Sequence, residues 1–222
     1  MTPNPASNQQ ALYRRAFARN CLLVIVKAYQ SLDAPSLHAA QEPAITGSLV
    51  EAANQFLEDA DATEFEHLVV SDDPPQNNNP GRQGKARTRI DIEFVSAVRG
   101  RRPRFHLEAK RLYRSDSADK YFGAGGLGMF LKGAYASEWP SVAMLGYVQN
   151  KSGAAWLKML GSGFASRIGV LDTCPEQPGW SAAEPLDDDG ATEVFESCHR
   201  RNRAGLESII IYHMVLEFLG PV

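Results

Sequence analysis

The chain is poor in several things at once. Its 222 residues include only three cysteines and three tryptophans. Cys21, Cys174 and Cys198 are odd in number, far apart and form no CxxC pair. That excludes a disulfide scaffold and a cysteine-rich zinc module, and it fits a reducing cytosol. The longest early apolar run, residues 21–26, is far short of the ~20 residues that span a bilayer. The opening MTPNPASNQQ lacks the basic-then-apolar layout of a signal peptide. No serine occupies a G-x-S-x-G elbow, so a Ser/His/Asp triad finds no support. Trp139, Trp156 and Trp180 stand singly and suit core or loop anchoring better than a base-stacking platform. These absences lead to the expectation of a soluble cytoplasmic protein without a membrane partner.

What is present is ordinary in bulk: 44% hydrophobic and 22% charged residues, at a length that buries a real core in one domain. The charge distribution is less ordinary. Residues 82–114 hold eleven Lys/Arg against Asp91, Glu93 and Glu108, a local charge of +8 in a chain whose net charge is -3. A basic stripe in an acidic protein points to a polyanionic partner more directly than the overall balance does. A solvated hairpin is the plain alternative.

Periodicity gives the organisation. Residues 11–31 carry apolar positions at helical spacing, and residues 45–59 do so again with Leu49, Ala53, Phe56 and Leu57 as the buried stripe. Residues 65–71 read as a short strand, and residues 72–84 as a polar loop leading into the basic stripe. In 88–98, Ile90, Ile92 and Phe94 alternate with Asp91, Glu93 and Val95. After the turn RGRRP, residues 104–112 alternate again: Phe105, Leu107 and Ala109 on one face, His106, Glu108 and Lys110 on the other. A helix over about 120–136, a doubly buried strand over 141–148, a helix over 154–160, a short strand over 168–171, an acidic loop over 175–190 and a closing strand or buried helix over 207–218, where Ile209, Ile210 and Ile211 favour strand, complete the reading. The order predicts an α/β fold, a three-layer sandwich with a central mixed sheet flanked by helices. It reads as one domain with its core at about 45–150, preceded by the helix 11–31 and followed by an extension over 151–222.

The chemistry concentrates in the hairpin. Residues two apart on a strand share a face, so Glu108 and Lys110 project together and Asp91 faces them from the paired strand. Two carboxylates and an ammonium on one polar face form a set of hard oxygen donors that suits Mg²⁺ or Mn²⁺. The lysine is placed to neutralise charge developing on a phosphate. A cross-strand salt bridge is the bland alternative.

Arg89-Ile90-Asp91-Ile92-Glu93 and Phe105-His106-Leu107-Glu108-Ala109-Lys110 resemble the PD-(D/E)xK superfamily, the restriction-endonuclease-like metal-dependent nucleases. Ile90 stands where the literal motif has proline. The resemblance implies a restriction-endonuclease-like fold, Asp91 and Glu108 as metal ligands with the Ala109 carbonyl as a third, and Lys110 as the catalytic lysine. It also implies a further glutamate on the helix before the first core strand, where Glu51 falls. The activity implied is Mg²⁺- or Mn²⁺-dependent hydrolysis of DNA phosphodiester bonds, with RNA left open, in a bacterial restriction or phage-defence system that involves a partner subunit or a homodimer. Arg87, Arg89, Arg101, Arg102, Arg104 and Arg111 are the expected nucleic-acid contacts. A non-catalytic nucleic-acid-binding or interaction subunit on the same fold is the alternative.

Weaker signals remain. Gly123, Gly125 and Gly128 fit a dinucleotide fingerprint by letter, but no strand immediately precedes them, so close packing is the better reading. Lys120 and Tyr121 are weighed as phosphate contacts against packing, and Gln149 as a site helper against a strand-end cap. Arg200, Arg201 and Arg203 are weighed as phosphate contacts against a solvated loop. His213, in an apolar strand, reads as a satisfied core histidine.

Overall fold

Seven short segments build one sheet. The computed structural model describes residues 5–59, 62–75, 89–98, 102–136, 138–176, 179–186, 192–201 and 208–221. Its strands are β1 (Leu68–Asp72), β2 (Ile92–Ser96), β3 (Arg104–Leu112), β4 (Ser141–Val148), β5 (Ser181–Ala182), β6 (Val194–His199) and β7 (Ile209–Glu217). They lie in the order β1-β2-β3-β4-β7-β6-β5. The three central strands β3, β4 and β7 run parallel, and every outer pairing is antiparallel. The C-terminal segment therefore contributes three strands, and β7 sits in the middle of the sheet rather than at its margin.

Two apolar layers cover the sheet. Helices α1 (Pro5–Ser31) and α2 (Glu42–Glu58) pack on one face through Leu22, Ile25, Ile45 and Leu49 against Phe94, Phe105, Leu107 and Leu145. The other face receives α3 (Ser117–Phe122), α4 (Leu127–Leu131) and α5 (Gly153–Ala165), whose Tyr121, Phe130, Trp156 and Phe164 meet Leu112, Met144 and Ile211. The result is an α/β sheet with helices on both faces, as expected. β4 is nearly all apolar because both its faces and both its edges are covered. Gly146 in β4 lies opposite Lys110 in register, and a Cβ there would stand 2.4 Å from Leu112 Cδ1, so a larger residue would have to displace the Leu112 side chain.

Several expectations are corrected. The helix expected over 120–136 is two short helices. Gly126 permits the break: in the turn the chain makes there, a Cβ would stand 2.4 Å from the Tyr121 carbonyl, so the turn needs glycine. Residues 168–171 form turns, with Val170 exposed, and not a strand. Phe65 lies in a 3-10 turn ahead of β1. β6 was not foreseen, since Glu196, Ser197 and His199 break its apolar pattern. Cys174 and Cys198 are joined in a disulfide, brought together by the Cys174 N–H bonding the Cys198 carbonyl at 2.9 Å; Cys21 stays free and buried. Among the described residues no helix is long and apolar enough to cross a membrane.

Candidate active site

β3 outruns its antiparallel partner. The β2–β3 register ends with Ile92 opposite Leu107, so the edge groups of β3 beyond that point have no strand to bond. Side chains take over. Asp91 Oδ2 accepts the Ala109 N–H at 2.7 Å, and Glu42 Oε2 accepts the Arg111 N–H at 3.0 Å. The Ala109 carbonyl, on the same edge, accepts from Lys110 Nζ at 2.6 Å.

Asp91 reaches this edge because the strand pattern breaks at it. Ile90 belongs to the core under α3 and α4, whereas Ile92 and Phe94 belong to the core under α1 and α2. The chain changes face between them, and Asp91 sits in the bend rather than in an uninterrupted strand. The loop after β1 holds the bend, with the Asp73 N–H donating to the Asp91 carbonyl at 3.0 Å. Asp73 adopts φ 47°, a left-handed conformation that aspartate tolerates better than most residues.

Lys110 closes the cluster. Its Nζ lies 2.8 Å from Glu108 Oε1, 3.2 Å from Glu42 Oε1 and 3.9 Å from Asp91 Oδ2. The electrostatics follow from crowding. Burial pushes the Glu108 carboxyl up to about 8, with repulsion from Asp91 adding to it and Lys110 opposing it. Asp91 is raised by burial too, against the pull of Lys110 and the Ala109 N–H. Lys110 itself is raised: burial works against its charge, but Glu108, Glu42 and Asp91 outweigh it. Tyr135, just after α4, has its hydroxyl raised by burial and by the field of Glu108, Asp91 and Asp73.

A second polar group continues along the same face. Arg104 Nη1 donates to both Glu93 oxygens at 2.9 Å, and His106 Nε2 donates to Glu93 Oε1 at 2.7 Å. Burial would raise Glu93, but His106 and Arg104 together hold it below the ordinary carboxylate range. With Nε2 turned to Glu93, Nδ1 is the ring nitrogen left over. Among the described residues, His106 Nδ1 and Glu108 Oε2 are buried with no hydrogen-bond partner. They lie two residues apart on one strand face.

Asp91, Glu108, the Ala109 carbonyl and Lys110 are thus brought together. Glu51 is not with them. It lies nine residues along α2 from Glu42, which at ~100° per residue is the opposite side of the helix, and it lines a surface hollow with Asn54, Gln55, Glu58 and Asp72. Glu42 stands where Glu51 was expected. Thr46, one turn on, is pinned to β4 by the 3.0 Å bond between its hydroxyl and Tyr147, which lays the start of α2 across the end of β3. The sequence signal was an acid before Pro43 in a first helical turn, a position that proline permits and the helix dipole favours.

The arginines divide. Arg89 pairs with Asp73 at 2.6 Å, Arg102 is exposed beside Pro103, and Arg104 is committed to Glu93. Arg111 bonds Gln149 and Gln41 at 2.6 Å each and lies over the Tyr113 ring, so Gln149 helps to hold an arginine rather than the carboxylates. Arg87, Arg101 and Arg203 lie outside the described residues. Lys120 pairs with Asp116, Tyr121 is fully buried, and Arg201 turns inward to the Ala136 carbonyl. Arg200 extends from the end of β6, its N–H on the Asp172 carbonyl at 2.7 Å.

A hard divalent cation fits the donor set: two carboxylates, an edge carbonyl and an unpaired buried carboxylate oxygen at Glu108. Among the described residues no three His, Cys, Asp or Glu side chains group closely enough to hold a metal alone, so the Ala109 carbonyl and waters would complete the shell. Compared with known proteins, the chain matches no family model, no curated protein and no solved structure.

Proposed function

We propose that this protein is a metal-dependent nuclease that hydrolyses DNA phosphodiester bonds at the edge of β3. The observation that carries the reading is the convergence of Asp91, Glu108, the Ala109 carbonyl and Lys110, with Lys110 Nζ within 3.9 Å of all three partners. Asp91 and Glu108 with the Ala109 carbonyl would hold Mg²⁺ or Mn²⁺, which when bound supplies Lewis acidity and a water of lowered pKa. The chain's own residues do the rest. The Ala109 N–H fixes one Asp91 oxygen and leaves the other free to ligate. Lys110 places a positive charge beside the phosphate that gains negative charge during hydrolysis. Glu42 keeps that ammonium at the edge of β3. Exposed Arg102 and the basic stripe around it draw the polyanion in, an attraction that falls steeply with salt.

A restriction or phage-defence role in the cytoplasm, with a partner subunit or a second copy, accompanies this reading through the resemblance alone. The non-catalytic reading draws on one feature, the enclosure of Lys110 by four oxygens, which an ordinary buried ion pair also produces.

One assay separates them. Supercoiled plasmid incubated with the protein should be nicked in Mg²⁺ or Mn²⁺ and left intact in a chelator. Lys110→Ala and Asp91→Ala should each lower the nicking rate by at least about a hundredfold. Nicking at the wild-type rate by both variants would remove the site from the chemistry and leave the binding-subunit reading.

A further inference from the structure

Lys110 does not lean toward open solvent, where a phosphate would arrive. Its ammonium sits inside the oxygen nest, 2.6 Å from the Ala109 carbonyl, 2.8 Å from Glu108 Oε1, 3.2 Å from Glu42 Oε1 and 3.9 Å from Asp91 Oδ2. Three of the four groups that supply those oxygens, Asp91, Glu108 and the Ala109 carbonyl, are the ones a divalent cation would take. One monovalent ammonium faces three carboxylates there, and Glu108 Oε2, buried in the same carboxylate, has no partner among the described residues.

We propose that the Lys110 ammonium and a divalent cation are alternative occupants of one oxygen nest, so that metal loading requires Lys110 to swing out of it. This rests on the nuclease reading and adds the order of events at its site. A divalent ion binds oxygens at ~2.1 Å, closer than an ammonium can, and it carries twice the charge, so it outcompetes the lysine once its concentration suffices. The released side chain has four carbons of reach and leaves as the only movable cation of the set. It is then available to a phosphate, which the resting contacts deny it. Glu42, which is no member of the implied ligand set, acts as the positioning residue that keeps the ammonium in the nest while the metal is absent.

Two measurements test this. In the first, Mn²⁺ is titrated calorimetrically into the wild type, Lys110→Met and Glu42→Gln, with thermal unfolding run on each to establish folding. Lys110→Met should bind Mn²⁺ at least about tenfold more tightly, the equivalent of one charge-assisted hydrogen bond no longer broken on loading. Glu42→Gln should bind more tightly by a smaller factor, because it loosens the competitor without removing a ligand. In the second, wild-type crystals are soaked in Mn²⁺, which keeps the proposal exposed even if Lys110→Met does not fold. An ion between Asp91 and Glu108 with Lys110 Nζ out of hydrogen-bond reach of the Ala109 carbonyl supports the proposal. Equal or weaker Mn²⁺ binding by Lys110→Met, or an ion in the nest with Nζ still on that carbonyl, overturns it while the nuclease reading stands. No Mn²⁺ binding by any of the proteins overturns both.

Discussion

Two polar clusters lie on the same face of one sheet, and they are built to opposite standards. At the far side, His199, Ser197, His213 and Tyr121 form a buried chain in which every ring nitrogen is paired. His199 Nδ1–H donates to the Leu171 carbonyl at 2.7 Å, so its Nε2 accepts from the Ser197 hydroxyl at 2.7 Å. Ser197 Oγ in turn accepts from His213 Nε2–H at 2.7 Å, and His213 Nδ1 faces the Tyr121 hydroxyl at 3.1 Å. The Tyr121 hydroxyl also lies 3.2 Å from the Met144 carbonyl, and when its one proton goes to His213 Nδ1 a single set of tautomers pairs both rings in the neutral form; burial lowers both histidines from their ordinary value. At the β3 edge, by contrast, Glu108 and His106 each have a buried atom with no hydrogen-bond partner among the described residues, and three carboxylates share one lysine. A buried polar atom without a partner is costly, and such atoms are concentrated at functional sites. The satisfied cluster holds the fold. The unsatisfied one is where we place the chemistry.

The largest effect should come from breaking the satisfied chain. Ser197→Ala strands two imidazole nitrogens in the core and should destabilise the protein by about 2 kcal/mol, or about 4–8 °C in Tm, measured by calorimetry. Nicking below the transition should be unaffected. Next comes relief of the strained cluster. Glu108→Gln removes a carboxyl that titrates at about 8 in the folded protein, against 4.5 for an unperturbed glutamate, while keeping an oxygen for Lys110. A group raised in this way supports folding fully below its unfolded pKa and loses that support as pH climbs through its folded one. Glu108→Gln should therefore stabilise the protein, and raise its Tm, by an amount that grows between about pH 5 and pH 9 to on the order of 1–2 kcal/mol at the upper end. The histidine chain has the opposite sign. Its depressed pKa values give stability that is present above 6.5 and lost as pH falls below it, so Ser197→Ala and Glu108→Gln should alter opposite limbs of the stability–pH curve. The smallest effect distinguishes two glutamates of one helix. Glu42→Gln should change the nicking rate several-fold through Lys110, and Glu51→Gln should leave it at the wild-type value.

The β3 pattern was fully legible. Residues 104–112 and 141–148 were read with the bounds of β3 and β4, and Glu108 with Lys110 fell on one face because strand periodicity is local. What stayed hidden depends on contacts that periodicity does not carry. Ile90, Asp91 and Ile92 look like continuous alternation, yet the chain changes face at Asp91 because β1 and its following loop hold a bend there. Glu42 lay ahead of the helix start read at residue 45, since its role depends on where the Thr46–Tyr147 bond lays the helix. β6 was missed because Ser197 and His199 look polar in sequence and are satisfied only by His213 and Leu171, far along the chain. The Cys174–Cys198 pair has the same origin, a 24-residue separation closed by β6. The Gly-rich segment was legible as packing, and the helix break that Gly126 permits was not.

The most direct test sets the two clusters side by side. Asp91→Asn and Ser197→Ala are compared for plasmid nicking in Mg²⁺ at a temperature below both transitions, with Tm measured on the same samples. We predict that Asp91→Asn loses nicking with Tm unchanged or higher, and that Ser197→Ala nicks normally with Tm lowered. Nicking retained by Asp91→Asn and lost by a folded Ser197→Ala would contradict the assignment of chemistry to the β3 edge.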